Sequence, residues 1–401
     1  MLTESAFYIV LPLDIVKIID MTDIKRPNII YFVILLLSGF VFADQIRFEH
    51  PGGLHTAVQI DNIRNKMSDE PVKKACDVLF STAQTLLEYE PNPPADFKVP
   101  YYYMNKKACM KAKSSLSDDA FAAYTLALAG QISEAETADK YTASAIRILN
   151  AWAATNKEIS GFDGNLIACY CGVPLVLAAE LVNENPLWKE TDKQIFRQWL
   201  SNTLAKSANS IKRKKNNHGC WGLYTSLACN YFLEDTEGFE SDINLLKKQI
   251  SAMIADSGEL PSENKRTNSG MWYTYFALCP MSCSAAIVTN ATGEDMFNYT
   301  DAKRRGLKPA LDKLFEYSIS PQSWPYEKPT GLTGAIHNLF NPSSDKVKMP
   351  RPDSWPANLY EVMIPLYNGQ DWDNWLKSHR PIQSGRGWCW ATISAAQWDN
   401  Q

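Results

Sequence analysis

Two short segments of the chain hold side chains that together suit the removal of a proton from a carbon beside a carboxylate. The first segment contains Asn217 and His218, and the second places Arg266 seven residues before Tyr273. An amide and a guanidinium can neutralise a carboxylate and stabilise the enolate charge that develops. An imidazole and a phenol can transfer protons. This combination predicts a lyase that acts on an acidic sugar polymer.

Each segment also has a purely structural interpretation. Helical periodicity begins at Trp221, so Asn217 can be a helix N-cap and His218 a core histidine. Seven residues are nearly two helical turns, so Arg266 and Tyr273 can share a helix face about 10 Å apart. An exposed arginine and a packed tyrosine would fit the same spacing. The two segments have to be considered together.

The composition limits the class of protein. The chain has 401 residues, of which 45% are hydrophobic and 21% are charged, as in a globular protein with a large core. A formal net charge of -4 argues against general nucleic-acid binding, which usually needs a basic excess. Affinity for a polyanion must come from local clusters, such as the basic run at residues 212–215. That run is either a solvated surface or a substrate-capturing cluster, and we expect Lys212 to take part in capture.

Residues 1–43 are predicted to be an export signal. Basic residues precede an apolar run at 29–42, and small residues follow at the cleavage position. The run is short for a membrane span, which needs about 20 apolar residues, and a retained anchor is the alternative. Met21 makes a better signal start than Met1. We therefore expect residues 44–401 to be exported to the periplasm or the extracellular space, without a stable membrane span.

The nine cysteines of the chain all follow this segment. In an exported protein some of them can pair, but an odd number leaves at least one free. Cys169 with Cys171, and Cys279 with Cys283, do not have the spacing of a zinc site. We expect buried thiols or one or two disulfides, and neither a metal nor another cofactor.

The predicted fold is all-α. Apolar residues recur at helical spacing, and no alternating β pattern of any length is present. The helical stretches are 72–87, 121–132, 143–152, 166–181, 195–211, 221–233, 245–254, 271–288 and 307–317. Many helices with short connectors predict hairpins arranged side by side in an α/α-barrel, an incomplete toroid with a cleft at one end. A superhelical repeat array is the competitor, but no motif recurs at fixed period. From residue 320 onward, Pro and Trp predict loops and short helices that cover one end.

The paired segments resemble those of the alginate lyases of polysaccharide lyase family five. Residues 214–221 resemble that family's K-x-N-N-H-x-x-W, and residues 258–278 resemble its G-x-L-P-x-E-x-x-R…Y-x-x-x-A-L. The spacing between the two halves also agrees, and good resemblance covers residues 211–288. It implies an α/α-barrel with a deep cleft, in agreement with the helical pattern. The catalytic residues that it implies are Asn217, His218, Arg266 and Tyr273.

Further residues around this set are expected to bind substrate, with the first two on a loop that closes the cleft: Tyr103, Lys106, Lys214, Trp221, Lys265, Trp272 and Tyr275. The chain departs from the family pattern at Cys220, where the family has an aromatic residue, and at Thr274. We expect these changes to alter the pocket wall. The pKa of a phenol is ordinarily about 10, and we expect Arg266 to lower that of Tyr273.

Two other functions remain open from the sequence. A non-catalytic binder of acidic glycans would need the basic and aromatic residues but not the Tyr273 phenol. A glycoside hydrolase would need two carboxylates about 5–10 Å apart, and the recognised segments offer only Glu263. For a lyase, poly-β-D-mannuronate is the expected substrate, β-1,4-glucuronan the alternative and polyguluronate a poor one. The sequence leaves the oligomeric state open.

Overall fold

The computed structural model describes residues 46–329, 331–340 and 344–398, so the expected signal at 1–43 lies outside them. The described chain is mostly helical, with one short two-stranded sheet, β1 (Asp96–Lys98) and β2 (Glu158–Ser160). The helices are α1 (Ala57–Lys66), α2 (Val72–Leu86), α3 (Lys106–Ile132), α4 (Ala135–Thr155), α5 (Gly164–Val182), α6 (Glu190–Asn202), α7 (Leu204–Ile211), α8 (Asn217–Leu233), α9 (Thr236–Met253), α10 (Pro261–Asn264), α11 (Gly270–Thr292), α12 (Leu307–Ile319), α13 (Gly331–Phe340), α14 (Ala357–Tyr367), α15 (Gln370–Leu376) and α16 (Ala391–Ala396).

The helices form two layers. Helices α5, α8 and α11 are apolar on all sides and buried along most of their length, and the second half of α3 is buried in the same way. Helices α4, α6, α9 and α12 each bury one face and expose the other, as expected of an outer layer. The predicted α/α-barrel is confirmed, with the first group as its inner helices.

Two of these inner segments are long and apolar enough to cross a membrane. They are Gly164–Val182 and Thr267–Thr292, and 83% and 89% of their most apolar windows are buried inside the protein. Burial of this extent is what core helices show. Their apolar composition is therefore explained by the barrel core.

One predicted helix is in fact two. The stretch 195–211 was expected to be continuous, but α6 ends at Asn202 and α7 begins at Leu204. Between them, Thr203 has φ −123° and ψ −75°, and its hydroxyl donates a hydrogen bond to the carbonyl of Trp199 at 2.6 Å. A threonine side chain that bonds to the backbone in this way competes with regular helix geometry.

The small parallel sheet was not predicted. Its strands have three residues each, too few to show an alternating pattern. The sheet ends at Gly161, which has φ +86° and lies so close to Val99 that a Cβ there would come within 2.2 Å of the Val99 carbonyl oxygen. Only glycine fits such a position. The sheet thereby fixes the start of the turn that carries Tyr103.

The C-terminal region packs over the barrel as short helices and loops, as predicted. Its Trp388 donates from Nε1 to the hydroxyl of Ser282 in the middle of α11, at 2.9 Å. Arg380 forms an ion pair with the buried Glu361 at 2.9 Å. These contacts hold the segment that precedes α16 against the inner helices.

All nine cysteines are free thiols, and all nine are buried. Of the two alternatives left open by the sequence, the structure shows buried thiols rather than disulfides.

Candidate active site

Helix α8 begins at Asn217, and the residue before it is the N-cap. Asn216 has extended backbone geometry, and its side-chain oxygen accepts a hydrogen bond from the backbone N–H of His218 at 3.1 Å. The interpretation of Asn217 as the cap is therefore wrong by one residue. Because Asn216 caps the helix, the side chains of Asn217 and His218 in the first turn are available for another role.

Glu263 on α10 holds Asn217 at two points. The backbone N–H of Asn217 donates to Oε1 of Glu263 at 2.6 Å, and its Nδ2 donates to Oε2 at 2.8 Å. Both residues are buried, and Oδ1 of Asn217 has no hydrogen-bond partner within the described part of the chain. Asn217 is thus fixed by its neighbour, and its Nδ2 keeps one hydrogen that Glu263 does not accept.

Arg266 and Tyr273 are in direct contact. Nη2 of Arg266 donates to the Tyr273 hydroxyl at 2.8 Å and to the Tyr103 hydroxyl at 2.7 Å, and the guanidinium carbon lies 3.9 Å from the centroid of the Tyr273 ring. The two phenol oxygens are 3.2 Å apart. The expected separation of about 10 Å along one helix is wrong, because Arg266 precedes a 3₁₀ turn (Thr267–Ser269) before α11 begins.

The pKa of Tyr273 moves in the opposite direction to the one expected. Burial of the phenol raises the pKa above its usual value, and the nearby charge of Arg266 only partly offsets this. Tyr273 is therefore protonated at neutral pH in the free protein and can donate a proton. To accept one, it must first ionise, and Arg266 is the group placed to stabilise the phenolate.

His218 is a neutral imidazole at physiological pH. Burial, together with the positive charges of Lys214 and Arg266, lowers its pKa to about 4. As the neutral imidazole it can donate one hydrogen bond and accept another, whereas a positive charge on it would be unfavourable. This electrostatic coupling also shows that Lys214, exposed on the loop before α8, acts on the same site.

An aromatic and cationic wall lies beside these residues. Trp272 stacks on Phe276 with 4.7 Å between ring centroids. Nζ of Lys348 lies 4.6 Å from the centroid of the Trp272 ring, and the guanidinium carbon of Arg386 lies 5.9 Å from the same centroid. Burial and the charges of Arg266, Arg386 and Lys106 lower the pKa of Lys348. Such a concentration of positive charge favours a polyanion.

Lys348 and Arg386 were missed from the sequence. No local pattern marks Lys348, because it lies in an irregular segment seventy positions after the end of the second motif. Arg386 stands between Gly385 and Gly387, and Gly387 has φ +61°, where a Cβ would lie 2.3 Å from the sulfur of Cys279 on α11. The glycine allows close approach of this loop to α11, which brings Arg386 to the wall.

The inner helices direct their N-terminal ends to this site. Lys106 is the first residue of α3, Asn217 is the first of α8, and Tyr273 lies in the first turn of α11. Helix N-termini carry partial positive charge from the aligned peptide dipoles. Together with the side-chain cations, they make this end of the barrel suited to anionic ligands.

The remaining expected substrate-binding residues divide into two groups. Tyr103 is 48% exposed and contacts Arg266 and Tyr273, and Trp272 belongs to the wall. Lys106 lies 5.8 Å from the ring centroid of Tyr102 on the same turn. Lys214 acts on His218 as described above. These four therefore lie at or beside the site.

Two expected residues do not lie at the site, and the role of a third, Lys265, stays a prediction. Trp221 is fully buried on α8, and Tyr275 is buried with its hydroxyl donating to Oδ1 of Asn358 at 2.9 Å. Lys265 is exposed, and its side chain makes no hydrogen bond or ion pair within the described residues. The expectation that Trp221 and Tyr275 bind substrate is corrected, because both belong to the core.

The two departures from the family pattern are also in the core. Cys220 is 1% exposed and its sulfur lies 3.7 Å from that of Met253, while Thr274 is 6% exposed. Neither residue forms the pocket wall that the sequence predicted they would alter. Residues of the observed wall, such as Trp272 and Lys348, now become the candidates for substrate selection.

Lys212 is a structural residue, contrary to its expected part in substrate capture. It is 7% exposed, and its Nζ lies 2.7 Å from Oδ1 of the buried Asp242 and 3.1 Å from the hydroxyl of Ser226. Loss of this ammonium would leave Asp242 as a buried, unpaired charge, which is strongly destabilising.

Glu263→Gln is expected to reduce kcat by about tenfold, the equivalent of one hydrogen bond, since a glutamine amide cannot accept from both donors of Asn217.

The same variant should change how stability depends on pH, because burial raises the pKa of Glu263 from 4.5 to about 7. Between pH 4.5 and pH 7 the Glu263 carboxyl is therefore protonated in the folded state but ionised in the unfolded state. The free energy of unfolding consequently falls as the pH rises through this range. Glu263→Gln should remove that fall, which thermal denaturation at pH 5 and pH 8 measures.

Glu259→Gln is the matched control for this variant. Glu259 accepts hydrogen bonds from the hydroxyls of Tyr317 and Tyr326 at 2.7 and 2.8 Å, without contacting Asn217. The Glu259→Gln variant should therefore keep the kcat of the wild type. Equal losses of kcat in the two variants would contradict the positioning role of Glu263.

Fold and site together define a class of enzyme. An amide, a neutral imidazole, a guanidinium and a phenol meet at the positive end of an α/α-barrel beside an aromatic wall, as a polysaccharide lyase requires for an acidic substrate. The alginate lyase family model matches residues 70–324. The chain belongs to the alginate lyase family and is a polysaccharide lyase with an acidic polysaccharide substrate.

Several solved structures share the fold of this chain. An alginate lyase from Bacteroides ovatus has a TM-score of 0.65 and 18% identity, with 87% of this chain and 100% of that chain covered. Alginate lyase A1-III from Sphingomonas species A1 has a TM-score of 0.69 and 16% identity, with 89% and 99% covered. A variant of A1-III was solved in complex with a tetrasaccharide (TM-score 0.66, 16% identity, 88% and 97% covered). No curated protein matches the chain.

Proposed function

We propose that the protein cleaves poly-β-D-mannuronate by β-elimination, with Asn217, His218, Arg266 and Tyr273 as its catalytic residues. The observation that carries this proposal is the contact of Arg266 with the Tyr273 hydroxyl at 2.8 Å. The contact places the permanent positive charge of Arg266 beside the Tyr273 hydroxyl, which must lose and regain a proton. The same guanidinium can face the substrate carboxylate, whose charge opposes removal of the C5 proton.

The reaction can be written with these groups alone. Asn217 and Arg266 bind the carboxylate and stabilise the enolate as the C5–H bond breaks. Tyr273, as the phenolate, takes the C5 proton. The electron pair forms the C4=C5 double bond, the C4–O4 bond breaks, and Tyr273 returns a proton to O4. The neutral His218 contributes hydrogen bonding to the same carboxylate.

A single proton carrier limits the choice of sugar. In mannuronate and glucuronate the C5 proton and O4 lie on the same side of the ring, so Tyr273 can serve both. In guluronate they lie on opposite sides, and a second group such as His218 would have to act as base. Mannuronate is therefore the proposed substrate, glucuronate the alternative that differs only at C2, and guluronate the poor one.

The alternative of a glycoside hydrolase has less support. Both carboxylate oxygens of Glu263 accept hydrogen bonds from Asn217, and Glu263 is buried. It is therefore not presented to a substrate as the acid or nucleophile of a carboxylate pair.

We also propose that the protein is exported, on the basis of the predicted signal at residues 1–43. N-terminal sequencing of the mature protein tests this proposal.

The decisive experiment compares kcat/KM on three pure polymers: polymannuronate, β-1,4-glucuronan and polyguluronate. Formation of the unsaturated uronate is followed by its ultraviolet absorbance, which a hydrolase would not produce. We expect polymannuronate to be the best substrate and polyguluronate the worst. A clear preference for polyguluronate would overturn the single-tyrosine mechanism, whereas a preference for glucuronan would correct only the assignment at C2.

A further inference from the structure

The basic run at residues 212–215 is divided among three environments. Lys212 points into the core, toward Asp242, and Lys214 acts on His218. Arg213 and Lys215 instead line a separate cavity of about 640 Å³. A cavity of this size matches ordinary ligand sites, which are about 300–1,000 Å³. The loop that leads into the catalytic residues thus also borders a second concave surface.

Helix α9 forms another side of this cavity. Its residues Asn244, Lys247, Lys248 and Ser251 all line it, and their spacing of three, four and seven places them on one helix face. The opposite face of α9 is buried in the barrel. Because α9 is an outer helix, the cavity lies on the outside of the barrel, away from its inner-helix core.

The lining carries four cations, one of which has an acidic partner outside the lining. Arg213, Lys215, Lys247 and Lys248 line the cavity, and the lining includes neither Asp nor Glu. Lys247 is paired outside the lining with Glu294 at 2.7 Å. The other three have no ion-pair partner in the part of the chain that the structure covers. Such unpaired cations around one concavity favour an anionic ligand.

Two further residues suit a sugar. Gln249 is 4% exposed and lines the cavity; its Nε2 donates to the carbonyl of Lys212 at 2.7 Å, while Oε1 has no hydrogen-bond partner among the described residues. Gln249 thus brings an amide to the cavity wall and carries an unsatisfied acceptor that lies almost fully buried. Tyr299 adds an aromatic ring, with Nζ of Lys247 5.6 Å from its centroid. Cations, a buried amide and an aromatic ring are the groups that an acidic oligosaccharide would contact.

We propose that this cavity is a second binding site for the uronate polymer, outside the catalytic residues. The identity of the ligand rests on the proposed function. Consecutive Cα atoms are about 3.8 Å apart, so Lys214 at the catalytic residues and its two neighbours at the cavity lie side by side. A polymer held at the cavity raises the local concentration of its other segments at the catalytic residues. The site thereby favours long chains over short ones.

The test is the triple variant Arg213→Ala, Lys215→Ala, Lys248→Ala. On long polymannuronate, KM should rise by about tenfold, less than the full gain that two-point binding can give, and kcat should be unchanged. On mannuronate tetrasaccharide, both constants should stay within twofold of wild type. The salt dependence of KM on the polymer should also become weaker, since three steering charges are lost.

The matched control is Lys74→Ala, Lys157→Ala, Lys206→Ala. It removes the same charge from exposed lysines that do not line the cavity, and it should leave KM on the polymer unchanged. If KM rose equally in both triple variants, the loss of net charge alone would explain the effect, and the proposal would be overturned. Equal rises on polymer and tetrasaccharide would assign the residues to the catalytic site, and no rise at all would also overturn it.

Binding measurements separate this proposal from the proposed function. In the Tyr273→Phe background, affinity electrophoresis in gels containing polymannuronate, glucuronan or DNA measures binding without turnover. The triple variant should lose part of the retardation by the uronate polymers, the part that binding at the cavity contributes. If wild type cleaved no uronate polymer but this loss persisted, only the catalytic proposal would fail. Retardation by DNA as strong as by the uronates would mean a non-specific polyanion surface and overturn the sugar site.

Discussion

Tyr273→Phe is expected to lower kcat on the preferred polymer by about 10³–10⁴-fold, because one hydroxyl is asked to act as both base and acid. The ring remains, so its contacts with Arg266 and Trp272 should survive. The loss should therefore fall on kcat, with the Kd for the polymer nearly unchanged. Steady-state kinetics and equilibrium binding to the same polymer measure the two quantities.

Tyr103→Phe is the matched control, since it removes the neighbouring hydroxyl, 3.2 Å from that of Tyr273. That hydroxyl is on the exposed turn and is not assigned a proton transfer, so its loss should cost far less than the loss of Tyr273. A Tyr273→Phe enzyme that kept a tenth of the wild-type kcat would refute its assignment as the proton carrier.

Arg266→Ala is expected to lower kcat by about 10²–10³-fold, the usual cost of removing one group that stabilises an oxyanion. A second effect adds to the first. Arg266 is the positive charge that opposes the rise in the pKa of Tyr273, so its removal raises that pKa further. The alkaline pH needed for the phenolate should consequently shift upward, and the pH profile of kcat in the variant measures this shift.

Lys265→Ala provides the comparison for Arg266→Ala. Lys265 carries the same charge one residue earlier, but it is exposed and outside the contacts of the catalytic residues. Its loss should leave both kcat and the pH profile close to wild type. If the two variants lost activity equally, a general charge effect rather than the contact with Tyr273 would explain the result.

The sequence predicted the barrel where long amphipathic or apolar stretches left one choice of structure. It failed where short-range geometry decides the outcome. The hydroxyl of Thr203 interrupts a stretch whose apolar spacing is continuous, and the strands of the small sheet are too short to show a period. Both features depend on a few local hydrogen bonds, which leave no period in the sequence.

The site was predictable in its local segments and less so in its surroundings. Asn217 and Arg266 stand in recognisable motifs, but helices apolar on all sides give no indication of which face meets a ligand. Trp221 was therefore assigned to the site although it is buried in the core. Arg386 reaches the wall only through the fold of the C-terminal loop. The direction of the pKa change at Tyr273 depended on the extent of burial, which the motif does not contain.

Because all nine thiols are buried, their rates of alkylation report local and global unfolding of the protein. A thiol-alkylating reagent can reach these sulfurs only when a helix separates locally or the whole barrel unfolds. Cys220 follows Asn217 and His218, the proposed catalytic residues of α8, whereas Cys76 lies on α2. The alkylation rate at each position, resolved by mass spectrometry, therefore gives a separate opening free energy for each helix, without introducing a label.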